Sequence, residues 1–264
     1  MHFLNSKIWP YRFRCREDFD ARIITHETSY RAAKRAAILA VLCAVSLSAC
    51  QTPLPAGTAT APSATENPAA SLNGKRYIVD TQASEIRLLV YRDGPMARVG
   101  HNHVMAGQIK GEVSVSDTAA ASSFSIEIPV ASFEVDAPAL RAEEGEDFAA
   151  TVSDQARKGT RDNMLGADVL DAAHYPLIHI ESTTLLGPRW NPDVSARITV
   201  RGKTSVVRFP AAVFEHNDTL TVIAAFRVLQ TDLGMTPYSI LGGAVTVRDA
   251  IDIRVRLVAR SAGS

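Results

Sequence analysis

Few side chains in this sequence are spaced for chemistry, and the sharpest are two histidines. His101 and His103 stand at i and i+2, which puts both rings on one face if the segment is a strand. Two imidazoles so placed can share a metal ion, or one can give a proton to a ligand head group. A polar pair at a strand start, hydrogen-bonded to its neighbours, is the third reading. A zinc site needs more ligands; His174, His179 and Glu181 fall near another expected strand, but nothing in their spacing brings them to the pair. No metal ligand is therefore assigned. Arg161-Asp162 suits either a polar head group or an ion pair on a helix surface. Asp232, two residues before Gly234, suits a turn. Asp136, Glu143, Glu144, Glu146 and Asp147 read as a solvated acidic helix face.

Other chemistry is missing from the sequence. It has no Walker loop, no Gly-x-Ser-x-Gly elbow and no His-Glu-x-x-His helix. The cysteines are Cys15, Cys43 and Cys50, so nothing after Cys50 can form a disulfide or act as a thiol nucleophile. No reaction is implied, and the expectation is a binding protein rather than an enzyme. Lys plus Arg and Asp plus Glu are equal at 28 each, but eight basic and four acidic residues precede Gln51. The remainder is mildly acidic, which gives no electrostatic case for nucleic acid as a partner.

The segments that place this chain in the cell lie at its start. Arg31, Lys34 and Arg35 precede an apolar run, Ala36 to Leu47, then Ser48, Ala49 and Cys50. A basic head, about a dozen apolar residues and small residues before a cut make a signal peptide over 31–49. The run is too short to span a bilayer, which takes about 20 residues. Leu47-Ser48-Ala49-Cys50 resembles the bacterial lipobox, whose cysteine is lipidated, and Gln51 after it suggests the outer membrane, facing the periplasm. Residues 1–30 are mixed in charge and aperiodic, as if the start site lay too far upstream. Residues 50–75 are rich in Pro, Ala, Ser and Thr; such a segment cannot bury enough apolar area to fold and reads as a tether.

From Arg76 the pattern becomes apolar at every second residue. Ile86, Leu88 and Val90 share a face, as do Phe124, Ile126, Ile128 and Val130, then Ile198 and Val200, then Ile251, Ile253, Val255 and Leu257. One-sided strands of this kind build antiparallel sheets. Further strands are expected at Tyr77–Asp80, Gln108–Ser116, Ile178–Thr184, Ser205–Pro210, Leu220–Gln230 and Ala244–Val247. The stretch 139–173 lacks the alternation, and helices are expected at Leu140–Ala156 and Thr160–Leu170. Many strands with one helical insertion predict a mainly β protein, a closed antiparallel barrel with helices over an opening.

Four stretches, in order, resemble one family. They are Tyr77-Ile78-Val79-Asp80 with Ser84-Glu85-Ile86; Asp168 to Thr183, with Leu170-Asp171, Tyr175-Pro176 and Glu181-Ser182-Thr183; Val200-Arg201-Gly202-Lys203-Thr204; and Thr231-Asp232-Leu233-Gly234-Met235. The chain resembles the YceI-like exported proteins over 76–259. It departs from them where Arg161-Asp162-Asn163-Met164-Leu165 lacks the usual histidine, and where Val99-Gly100-His101-Asn102-His103-Val104 replaces the usual segment. The resemblance implies a lipocalin-like barrel holding a polyisoprenoid or quinone in an apolar interior. The expected contacts are Ile86, Leu88, Phe124, Ile126, Ile198, Val200, Phe226, Ile253 and Val255, with His101, His103 and Arg161 at the polar head. The face assignment comes from the charges: Arg87, Glu127, Arg197, Arg254 and Arg256 would be costly inside unless paired. A metal- or redox-linked accessory protein using the two histidines, and a non-catalytic envelope stress or adhesion factor, are the alternatives. The partners expected are the apolar lipid and, through the anchor, the membrane; homodimerisation stays open.

Overall fold

The computed structural model describes residues 74–263. Cys50, the signal segment 31–49, residues 1–30 and the tether up to residue 73 lie outside the described residues. The domain begins slightly earlier and ends slightly later than the sequence suggests: its first strand opens at Lys75 and its last closes at Ser261.

The strands are β1 (Lys75–Val79), β2 (Glu85–Asp93), β3 (His103–Gly107), β4 (Lys110–Val115), β5 (Ser123–Pro129), β6 (Glu134–Val135), β7 (Leu177–Leu186), β8 (Asp193–Val200), β9 (Lys203–His216), β10 (Thr219–Leu229), β11 (Ser239–Ile240) and β12 (Val245–Ser261). The order β1-β4-β5-β7-β8-β9-β10-β12, closed by β12 pairing back to β1, makes an eight-stranded antiparallel barrel. β2 continues β1 along the same edge of β12, β3 pairs with β2, and β6 pairs with β3. These three lengthen the barrel at one end.

Local sequence explains several joints. Arg201 and Gly202 both take positive φ, at 50° and 72°, and form a two-residue hairpin between Val200 and its partner Lys203. That is the turn whose twist matches paired strands. β9 was expected to stop at Pro210 but runs on to His216. What stops at Pro210 is one of its ladders: β9 pairs with β10 only from Ala211 to His216, because proline has no N–H to give. Beyond it the two strands part, and the 231–234 turn bridges the space, with Ser205 Oγ donating to the Asp232 carbonyl at 2.6 Å. Ala244–Val247 and Ile251–Leu257 prove to be one strand, β12, with a register shift between Val247 and Ile251. A bulge of this type bends a strand without ending it.

The helical insertion differs from expectation. Helix α1 spans only Pro138–Ala142, two residues ahead of the region assigned to helices. Gly145 at φ 86° ends the local helical path. Helix α2 then covers Asp154–Leu165, capped by the Ser153 side chain accepting from the Ala156 amide. It starts six residues earlier than expected because that cap, rather than composition, sets its start.

The acidic run is only partly a solvated face: Glu143, Glu146 and Asp147 are exposed, but two of its members are not. Glu144 and Asp136 are buried, with side chains 1% and 0% exposed. Arg87 does face away from the barrel interior, but it is covered by the α1 segment and almost fully buried. There it contacts Glu85, Glu143 and Glu144 at 2.7–2.8 Å, and Glu144 also meets Arg254 at 2.6 Å. A small apolar cluster of Leu89, Val104 and Phe148, with Tyr91 and Leu140 against it, lies under the same cover.

Candidate ligand-binding cavity

The inward residues of the barrel strands do not fill it completely. They line two chambers, of about 380 Å³ and about 390 Å³. Each falls in the range of small-molecule sites, about 300–1,000 Å³. Both chambers touch Ile86, Ile128, Ile180, Ile198 and Ile253, so a belt of isoleucines from five strands forms the waist between them. β-branched side chains are stiff at χ1, which suits a fixed constriction.

The first chamber is walled by Val113, Val222, Leu257 and a stacked pair, Phe209 and Phe226, whose rings lie 4.2 Å apart. Its mouth, beside the start of β1, carries Trp190, Arg189 and Glu215. Arg189 donates to Glu215 at 2.9 Å, and the buried Tyr77 hydroxyl donates to the same carboxylate. Burial, then that hydrogen bond, pushes the Tyr77 hydroxyl pKa up.

The second chamber is closed in part by α2, which supplies Thr160, Asn163 and Met164. Phe133 also lines it. Its ring lies so close to Gly107 that a Cβ there would stand 2.7 Å from Cε1, so glycine is required for the approach. Other polar groups of this chamber include His101, His103, Arg92, Gln230 and Tyr238.

The two histidines do not both sit on a strand. His103 opens β3, opposite Val90, while His101 lies in the preceding loop. Their rings nonetheless meet edge to face, with centroids 4.5 Å apart. The residue that unites them is Asp136, taken from sequence as part of an exposed run. Its φ of 50° is a left-handed conformation that costs energy unless the surroundings enforce it. The enforcement is visible: the Asp136 amide donates to the Val104 carbonyl at 2.8 Å, and the Val104 amide donates back to Oδ1 at 2.9 Å. Arg141 donates to the same Oδ1 at 2.6 Å and to the Asn102 carbonyl at 2.7 Å. Oδ2 lies 2.6 Å from His103 Nδ1 and 3.6 Å from His101 Nε2. Burial pushes the Asp136 carboxyl pKa up, but the facing nitrogens of His101 and His103 and the Val104 amide outweigh it and hold the group well below the usual carboxylate range.

Of the residues expected from sequence, Phe124, Ile126, Phe226 and Val255 line the first chamber, and Leu88, Val200, His101 and His103 the second. Ile86, Ile198 and Ile253 stand at the waist. Arg161 does not reach either chamber: it donates to the Phe133 and Ala131 carbonyls at 3.2 and 2.8 Å and fastens α2 to the chain after β5. His174 pairs with Asp171, and His179 stands 3.5 Å from Glu127, so neither joins the histidine pair. Sequence reasoning did not select Ile180, Phe209, Met164 or Asp136. Ile180 and Phe209 could have been found by extending the period-two pattern of β7 and β9. Asp136 gave no local signal.

A closed antiparallel barrel with an apolar, unfilled interior and polar groups at its mouths defines a lipocalin-like binding barrel. The YceI-like domain is the family whose model matches residues 77–259, and the chain belongs to that family. Among solved structures, BcnA of Burkholderia cenocepacia is similar at 22% identity and a TM-score of 0.47, over 68% of this chain and 98% of that one. A polyisoprenoid binding domain from Saccharophagus degradans, implicated in plant cell wall breakdown, is similar at 13% identity and 0.44, over 70% and 98%. The YCEI protein of Campylobacter jejuni is similar at 11% identity and 0.43, over 59% and 82%. No curated protein sequence matches significantly.

Proposed function

We propose that this protein binds a single long apolar molecule of isoprenoid or quinone type, threaded along the barrel axis. The observation that carries this reading is the pair of apolar chambers joined at the isoleucine waist, with polar groups gathered at the mouths. Apolar cavities of about 150 Å³ already stay dry, so these walls give water little to bond. Each methylene moved from water into such a space gains about 0.8 kcal/mol, and a chain of several isoprene units is held with few directional contacts. The polar head then sits in the second chamber beside His101 and His103. The same space weighs against the reading of a barrel that is merely packed. Organic extraction of protein purified from an isoprenoid-producing host, followed by mass spectrometry, is the test. A bound polyprenyl or quinone mass is expected at near-stoichiometric yield, and its absence overturns the proposal.

We further infer that the protein works as an envelope lipoprotein. Support comes from the basic cluster, apolar run and small residues that end at Cys50, with Gln51 after it. Cleavage between Ala49 and Cys50 and acylation of Cys50 would hold the barrel at the outer membrane, on the periplasmic side. A Cys50→Ser variant is expected to lose fatty-acid labelling; equal labelling of variant and parent refutes the anchor.

A further inference from the structure

The isoprenoid reading uses His101 and His103 as hydrogen-bonding groups, yet one atom among them has no bond. His101 Nε2 is buried and lacks a hydrogen-bond partner, since 3.6 Å to Asp136 Oδ2 is too long. An orphaned buried polar atom calls for an explanation, and in this cluster Arg141 Nη2 is a second. His101 Nε2 points at the same carboxylate oxygen as His103 Nδ1.

We propose that His101, His103 and Asp136 form a binding site for a divalent transition-metal ion, of which zinc is the representative, in the wall of the second chamber. Among the described residues, these three offer one donor atom each, all within 4.8 Å of one another. Ligand atoms arranged tetrahedrally at zinc bond lengths lie about 3.3 Å apart. The separations of Oδ2 from the two ring nitrogens, 2.6 and 3.6 Å, bracket that value, and the two ring nitrogens lie within 4.8 Å of each other. Two imidazoles and a carboxylate suit zinc and its neighbours in the first transition row rather than magnesium or calcium, which prefer oxygen ligands.

The surroundings support the assignment. The outer oxygen of Asp136 is held by the Val104 amide and Arg141, which fixes the carboxylate and leaves Oδ2 turned to the histidines. Ligating carboxylates are usually held this way by an outer layer of hydrogen bonds. Metal entry at Nδ1 replaces the hydrogen bond to Asp136 Oδ2, and the neutral imidazole then carries its single N–H on Nε2. Arg141 also places a positive charge nearby, which tempers the affinity. Three protein ligands leave coordination positions open, and both histidines line the chamber. A ligand oxygen, such as a quinone carbonyl or an isoprenoid hydroxyl, would fill an open position; this last step rests on the isoprenoid reading, whereas the metal site does not.

Titration of the full-length protein with Zn²⁺ by calorimetry, and with Co²⁺ by visible absorption, tests the site. One saturable equivalent is expected, with a cobalt spectrum of low coordination number. His101→Ala, a partly exposed loop residue, is expected to weaken zinc at least tenfold and to abolish the cobalt spectrum. His174→Ala, an exposed histidine elsewhere, is expected to leave both unchanged. The absence of a stoichiometric equivalent in the parent, or equal affinity in His101→Ala, overturns the proposal. Because lipid extraction is read separately, zinc binding by protein that yields no isoprenoid would refute the isoprenoid reading and leave the metal site standing.

Discussion

The two faces of β2 and β3 lead opposite lives. Inward, Ile86, Leu88 and Met105 look onto space. Outward, Arg87 lies under the α1 segment among Glu85, Glu143 and Glu144, and Leu89 and Val104 pack against Phe148. One region buries apolar atoms around an apolar void; the other buries charges beside a more polar pocket of about 420 Å³, lined by Asp136, Arg141 and Phe148. An eight-stranded barrel interior can be filled by side chains or left with room for a ligand, and here the inward side chains leave space. The outer cover is a short, irregular segment. It covers the strands with buried ion pairs and a small apolar cluster. The apolar space therefore lies inside the barrel and the buried charges outside it.

That contrast yields its largest test in the buried charges. Arg87→Met leaves Glu144 buried beside Arg254 alone, and is expected to cost about 3–5 kcal/mol, as breaking a buried ion pair does. Thermal or urea denaturation reads the loss. Adding Glu144→Leu is expected to restore most of it, because Arg254 is exposed enough to turn to water. Neither variant should change the lipid recovered. A small effect of Arg87→Met would mean that the cover does not hold its charges dry.

Filling the waist tests the other region. Ile198→Trp places a large ring between the chambers at an estimated cost of about 1–3 kcal/mol for overpacking, the smaller end applying if the ring finds room in a chamber. Recovered isoprenoid is expected to fall severalfold while the protein stays folded. Unchanged recovery would show that the ligand does not cross the waist.

The smallest effect sharpens the description of the outer cover. Burial first, and the nearby Asp252 carboxylate second, push the Tyr91 hydroxyl up to about 12, against an ordinary value of about 10. A pKa raised by folding contributes stability that is whole below the ordinary value and lost as pH climbs towards the folded one. Stability is thus expected to decline between about pH 10 and 12, and Tyr91→Phe to lessen that decline. An ultraviolet titration of tyrosinate reads the same group directly; if the variant titrates like the parent, Tyr91 is not the late tyrosine.

Much of the barrel was legible because strand patterning is local. Ile251, Ile253, Val255 and Leu257 alternate with Asp252, Arg254 and Arg256, and side chains of successive residues must point to opposite faces. That pattern assigned part of the inner face, while the expectation of space came from the family resemblance. The helical segment was less legible, since its Ala, Glu and Arg content favours helix while Gly145 and the Ser153 cap break it in two. Arg161 was misplaced for a related reason: a helical arginine can reach backbone carbonyls as readily as a ligand, and the sequence does not say which lies within reach.

By itself the sequence determined much of the strand faces, a turn at Gly202 and the missing N–H at Pro210. Each depends on groups within a few residues of one another. Only the tertiary structure decided that Asp136, 33 residues from His103, faces both rings, that Arg87 and Glu144 are buried together, and that five isoleucines from separate strands meet at a waist. These depend on barrel closure and on which segment folds over the outer face. Period-two patterning orients a side chain, but only the closed fold determines what stands opposite it.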